Sequence, residues 1–232
     1  MRTTDPSSRV VAALEVAWAA IQARHPDVPH VILTLGAGSL GEPRGSLKLG
    51  HFAADRWSTS NGRTAELFVG GEGLGRGANG VLETLLHEAA HGVAATRSIK
   101  DTSRQGRYHN RKFRGLGEEL GLTIAEVDGI GWSGTMLAPG SEQEYAAELE
   151  VLGTALTIFR YSESEARDAA VEPGPDAGAD DQDDEQEPAA PARPKNGLSV
   201  VCGCGRRVRV AQSVLELGPI ICGVCNQPFE AA

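Results

Sequence analysis

Leu85-Leu86-His87-Glu88-Ala89-Ala90-His91-Gly92 puts two histidines four residues apart, with a glutamate directly after the first, in a run of helix-forming residues. On a helix the i and i+4 side chains stack over one another, so both imidazoles reach one metal ion from the same face. Glu88 projects close enough to take a proton from a water beside that ion. Zinc lowers the pKa of such a water towards neutrality, which makes hydroxide available near pH 7. An ordinary helix carrying two histidines also satisfies so short a pattern, so its surroundings decide. A helix is expected from about Ala78 to Ala95, its buried face formed by Val81, Leu82, Leu85, Leu86, Ala89, Ala90 and Val93.

A catalytic zinc usually has three protein ligands and an open position, so a third is needed. The metzincin pattern asks for Gly at position 94 and His at 97; Ala94 and Arg97 exclude it. Glu118 or Glu119 would serve by distance, as in gluzincins. His109 is the better candidate, because Tyr108-His109-Asn110-Arg111-Lys112-Phe113 reads as the opening of the next helix, with His109 and Phe113 on one face. His25, His30 and His51 read as ordinary core or surface histidines.

With these residues the chain resembles the SprT-like (Spartan-type) zinc metallopeptidases. The resemblance covers His87 to His91, the loop after them, His109 with Phe113 four later, and the element order over roughly residues 5 to 160. It implies a small zincin-like metallopeptidase domain in which His109, by position, is the third ligand of a catalytic Zn2+. The common form of the family flanks that histidine with glycine, whereas Tyr108 and Asn110 stand here. Tyr108 has two readings, as a hydrogen-bond donor to a tetrahedral intermediate or as packing against the metal site.

Outward from the motif, residues 7 to 24 carry Val10, Val11, Leu14, Ala17, Trp18 and Ile21 at helical spacing, with Asp5, Ser7 or Ser8 as caps. Strands are expected at residues 31 to 35, 47 to 52 and 65 to 69, with Trp57 a packed aromatic between the second and third. The glycine-rich Gly70 to Gly77 lacks the GK[ST] ending and βαβ context of a phosphate loop, and reads as a flexible approach to the metal helix. A helix over Asn110 to Leu120, a strand at Leu122 to Val127 and a helix from Ser141 to about Arg160 complete an α+β domain over 1–160. Residues 161–197, with Asp180 to Glu187 and then Pro188, Pro191 and Pro194 among alanines, read as a disordered acidic and Pro/Ala linker.

All four cysteines lie beyond that linker, as Cys202-Gly203-Cys204 and Cys222-Gly223-Val224-Cys225. Close cysteine pairs on glycine turns make metal knuckles, and four sulfurs suit a closed structural Zn2+ site in a zinc-ribbon-like module over 198–232. A redox CxxC is the alternative. The clustering differs from the scattered cysteines of a secreted disulfide framework.

The formal net charge of −9 is uneven: −2 over residues 1–160, −8 over 161–197 and +1 over 198–232. Between Ser98 and Arg114, Lys100, Arg104, Arg107, Arg111, Lys112 and Arg114 face a single acid, Asp101. That concentration beside His109 predicts a basic rim able to contact phosphates, with Arg206, Arg207 and Arg209 adding cations to the cysteine module. A solvated face without a partner is the plainer reading. No window approaches a membrane-spanning length of apolar residues, so a cytoplasmic protein without a membrane partner is expected.

Two functions follow. One is a zinc endopeptidase acting on proteins at or near DNA, such as DNA–protein crosslinks, with single-stranded DNA preferred. The other is a non-proteolytic nucleic-acid or transcription-elongation-associated binding factor whose zinc is structural. The peptidase chemistry comes from the motif; the DNA setting comes from the family resemblance and the basic segment.

Overall fold

The computed structural model describes residues 5–43, 45–60, 62–170 and 198–231. It divides into two compact units, Met1–Gly174 and Pro175–Ala232. The first is an α+β domain.

Helix α1 (Pro6–Arg24) starts where Asp5 accepts a hydrogen bond from the Ser7 amide at 3.0 Å, with Pro6 at its first position. It buries Val10, Ala13, Leu14, Ala17, Trp18 and Ile21, one stripe at helical spacing. Strands β1 (Val31–Gly36), β2 (Gly50–Thr59) and β3 (Gly62–Gly70) form a sheet in the order β1-β3-β2, with β1 parallel and β2 antiparallel to β3. β2 is therefore an edge strand. It begins later and runs further than residues 47 to 52, because its partner in the hairpin continues back to Gly62. A register shift between Ala53 and Trp57 marks a bulge in it, where Asp55 takes a φ of 55°.

Gly71–Arg76 forms a 3-10 turn that leads into α2 (Gly77–Thr96), the helix of the two histidines. It is the central element of the core: Leu82, Leu85, Leu86, Ala89 and Ala90 are fully buried. A second sheet of order β4-β5-β7-β6 packs beside it, from β4 (Thr102–Ser103), β5 (Tyr108–His109), β6 (Leu122–Val127) and β7 (Gly131–Leu137). Between β5 and β6 lies α3 (Arg111–Glu119).

Four details differ from the expected elements. His109 does not open a helix: it sits in β5, and Asn110 caps α3 by accepting from the amides of Lys112 and Phe113 at 2.8 and 3.4 Å. Strand β7 falls in a stretch read as loop. The helix expected over residues 141 to 160 is divided into α4 (Ser141–Glu144) and α5 (Ala146–Ala155), because Tyr145 leaves helical geometry to bury its whole ring. A further helix, α6 (Glu163–Ala170), lies at the start of the expected linker, whose remainder, residues 171–197, falls outside the described residues.

The second unit contains β8 (Leu198–Val201), β9 (Arg207–Val210), α7 (Gln212–Leu215) and β10 (Glu230–Ala231), with strand order β10-β8-β9. Among the described residues no helix is long and apolar enough to cross a membrane.

Candidate metal centre

Helical spacing does for His87 and His91 what the sequence requires. The two rings lie 5.1 Å apart, and His109 comes within 5.1 and 5.0 Å of them. One ligand nitrogen from each lies within 4.8 Å of the others. Phe113, fully buried, forms the floor, its ring 4.7 Å from His87, 4.7 Å from His91 and 4.5 Å from His109. The pairing of His109 with Phe113 thus survives although only Phe113 is helical. Strand pairing aims His109 instead: its amide donates to Ile130 O at 3.0 Å, and it stands opposite Thr102 on β4 and Gly131 on β7.

The donor set fits a divalent cation. Asp101 lies 2.5 Å from His91 Nδ1, so that nitrogen donates and His91 Nε2 is left with its lone pair. This lone pair faces His109 Nε2 at 3.1 Å, about the separation that two nitrogens have around one tetrahedral zinc. Burial, with the fields of the neighbouring histidines, holds His87 well below the usual imidazole pKa and lowers His109 as well. With the His109 proton on Nδ1 its Nε2 lone pair converges with that of His91 on one point, which suits a cation; with that proton on Nε2 the two rings hydrogen-bond directly. His109 Nδ1 is buried without a hydrogen-bond partner among the described residues, so no carboxylate orients that ring as Asp101 orients His91.

Glu88 is 5% exposed. Desolvation pushes its carboxyl up to about 7, against the opposing effects of His91 and a hydrogen bond from the Phe52 amide. A carboxylate near neutrality is matched to accepting and returning a proton. Glu88, the triad, Asp101, Thr102, Ile99 and Gly106 line a cleft of about 450 Å³, whose other wall is Gly50, His51, Phe52 and Ala54 on β2. A larger cavity of about 670 Å³ lies between the loop from Ser39 to Leu47 and residues Ser162 to Glu165, and holds no histidine or cysteine.

Tyr108 is not part of the cleft. Adjacent strand residues face opposite sides, so with His109 turned to the metal site Tyr108 turns away and its hydroxyl donates to Glu126 at 3.4 Å. Asp101 was missed by sequence reasoning, although it is the one acid among the cations of that segment.

Those cations are all exposed. The Arg104 guanidinium stacks 4.9 Å over Tyr108, and Arg114 pairs with Glu118 at 2.8 Å and covers Trp132. Lys100, Arg107, Arg111 and Lys112 form no ion pair among the described residues.

In the second unit Cys202, Cys204, Cys222 and Cys225 offer sulfurs within 4.8 Å of one another and form no disulfide. Two tight turns present them: the Gly205 amide bonds to Cys202 O and the Asn226 amide to Cys222 O, both at 2.9 Å, with Gly205 and Asn226 at φ 81° and 55°. The amides of Cys225 and Val224 draw the Cys222 thiol down to about 6, while hydrogen bonds with Cys202 and Cys225 push Cys204 up to about 12. Unequal sharing of protons among four clustered sulfurs is what a tetrahedral zinc resolves, since it takes all four as thiolates. The chain thus carries two candidate metal sites, a triad of histidines resembling a zincin active site and a cluster of four cysteines, consistent with two zinc ions. Comparison with family models, curated proteins and solved structures gives no match.

Proposed function

We propose that the protein is a zinc-dependent endopeptidase of SprT-like type. The observation that carries this reading is the convergence of His87, His91 and His109 beside a buried Glu88, in a cleft whose opposite wall is an open strand edge. A zinc ion bound by His87, His91 and His109 would supply Lewis acidity and an acidified water. Glu88 takes the proton of the attacking water and passes it to the leaving amine. Asp101 fixes the His91 ring, and the edge of β2 gives an extended protein chain main-chain groups to pair with. Substitution Glu88→Gln tests the reading: cleavage of unfolded casein by the zinc-loaded chain is lost, with both zinc ions retained. Cleavage at the wild-type rate would overturn it.

The DNA setting rests on the basic segment. Arg111 and Lys112 open α3, where the positive end of the helix dipole disfavours cations by about 0.3–1 kcal/mol each. A bound polyanion offsets that cost, and single-stranded DNA at this rim would bring crosslinked protein to the cleft. Affinity for a single-stranded oligonucleotide falls steeply with salt in this reading, and more gently after Arg107→Ala or Arg111→Ala. The non-proteolytic alternative, a nucleic-acid or elongation-associated factor, would show the same binding with no dependence of any activity on Glu88.

A further inference from the structure

The wall of the cleft opposite the metal helix does more than enclose it. The Gly70 amide donates to Leu49 O at 2.8 Å, and Gly50 stands opposite Val69. In an antiparallel ladder this register directs the main chain of His51 towards β3, and that of Gly50 and Phe52 to the open edge. There the Phe52 amide faces the Glu88 carboxylate, near enough to lower its pKa. At Gly50 a Cβ atom would lie 3.0 Å from Glu88 Oε1, 3.1 Å from Glu88 Cγ and 2.9 Å from the Thr84 methyl. The φ of Gly50 is not in the left-handed region, so space and not backbone conformation excludes a side chain.

We infer that the open edge of β2 is a positioning device for Glu88: the bare Cα of Gly50 lets the strand lie against the carboxylate, and the Phe52 amide holds it in its working orientation. Helix α2 fixes only the Cα and Cβ of Glu88. A glutamate has further rotatable bonds, and a carboxylate loose by an ångström loses much of its effect on a proton transfer. Gly92 of α2 is instead tight against the chain before β1: a Cβ there would lie 2.8 Å from Pro29 Cδ, with the Phe52 ring at an ordinary 3.5 Å. Of the two, Gly50 sets how closely β2 approaches α2 at Glu88. The kinetic consequence rests on the peptidase reading; the geometry does not.

Amide hydrogen exchange of the full chain, read residue by residue, tests the geometry without turnover. An unpaired edge amide exchanges fast, so a protected Phe52 amide is expected, with exchange accelerated about tenfold or more by Glu88→Ala while Leu67 and Val69 on β3 are unchanged. Phe52 exchange unaffected by Glu88→Ala overturns the proposal. In the kinetic arm, Gly50→Ala lowers kcat on casein about tenfold, with KM and zinc content at wild-type values. A loss confined to KM, or accompanied by loss of zinc, overturns it as well. If the wild-type chain cleaves no casein, the peptidase reading fails separately and the exchange measurement still decides the positioning role.

Discussion

His91 and His109 reach the same point by different means, and the difference sets how each responds to substitution. His91 is oriented by a carboxylate, Asp101, at 2.5 Å from Nδ1. A carboxylate bonded to the far nitrogen of a metal-binding histidine raises that ligand's basicity and fixes its tautomer. Asp101→Asn is therefore expected to weaken zinc binding at the triad about 10- to 100-fold, measured by competition with a chromophoric chelator, with zinc at the cysteines unchanged. His109 has no such partner and depends on strand pairing and the Phe113 ring. The triad itself was legible because two ligands share a helical period and the third follows at a recognisable distance. Asp101 was not, because its role arises only when the β4–β5 hairpin folds back over α2, and nothing in local sequence encodes that approach. Tyr108 misleads for a related reason: adjacency in sequence to a ligand means the opposite face once the segment is a strand.

At the scale of elements, the most legible was α2, whose periodic run of Val81, Leu82, Leu85, Leu86, Ala89, Ala90 and Val93 is buried as expected. Helix α3 begins one residue later than its pattern predicts, because Asn110, a favoured cap and a poor residue inside a helix, turns its side chain to the Lys112 and Phe113 amides. Strand β7 escaped because Gly131, Ser133 and Gly134 give it no alternating pattern; its pairing with β6 and β5 is imposed by tertiary contacts. Asn110 joins two elements, since its Nδ2 also donates to Lys100 O at 2.9 Å and its amide to Asp101 O at 2.9 Å. Asn110→Ala should cost about 1–2 kcal/mol, lowering Tm by about 2–8 °C in calorimetry. It should also weaken zinc binding at the triad, because the segment it releases carries both Asp101 and His109. A destabilised protein with undiminished zinc affinity would separate the cap from the site.

Across the first unit as a whole, the most heavily bonded buried carboxylate lies away from the metal. Glu72, with 3% of its side chain exposed, accepts from the amides of Gly38 and Ser39, from the Ser39 hydroxyl, and from Arg160 at 2.6 Å. It thereby ties the loop after β1, the turn before α2 and the chain after α5. Burial raises its pKa, but the hydrogen bonds from Ser39 and Gly38 prevail and hold it down at about 2. A carboxyl with a lowered folded-state pKa stabilises the fold above its unfolded value of 4.5, and that contribution fades as pH falls from there towards 2. Its magnitude is on the order of 3 kcal/mol. Glu72→Gln should accordingly lower stability at pH 7 by a comparable amount and flatten the acid limb of the Tm–pH curve, without altering zinc content. An unchanged acid limb would place the pin elsewhere. The open edge of β2 carries a different liability, because unpaired strand edges are templates for joining copies of a protein into aggregates. The bulge between Ala53 and Trp57, with Asp55 at φ 55° and Arg56 exposed beside it, interrupts that edge. With the Phe52 amide turned to Glu88, it leaves the Gly50 amide and the carbonyls of Gly50 and Phe52 facing that edge, enough to receive one visiting chain and too little to seed a continuous ladder. The irregularity beside the cleft thus also limits how far another copy could extend that edge.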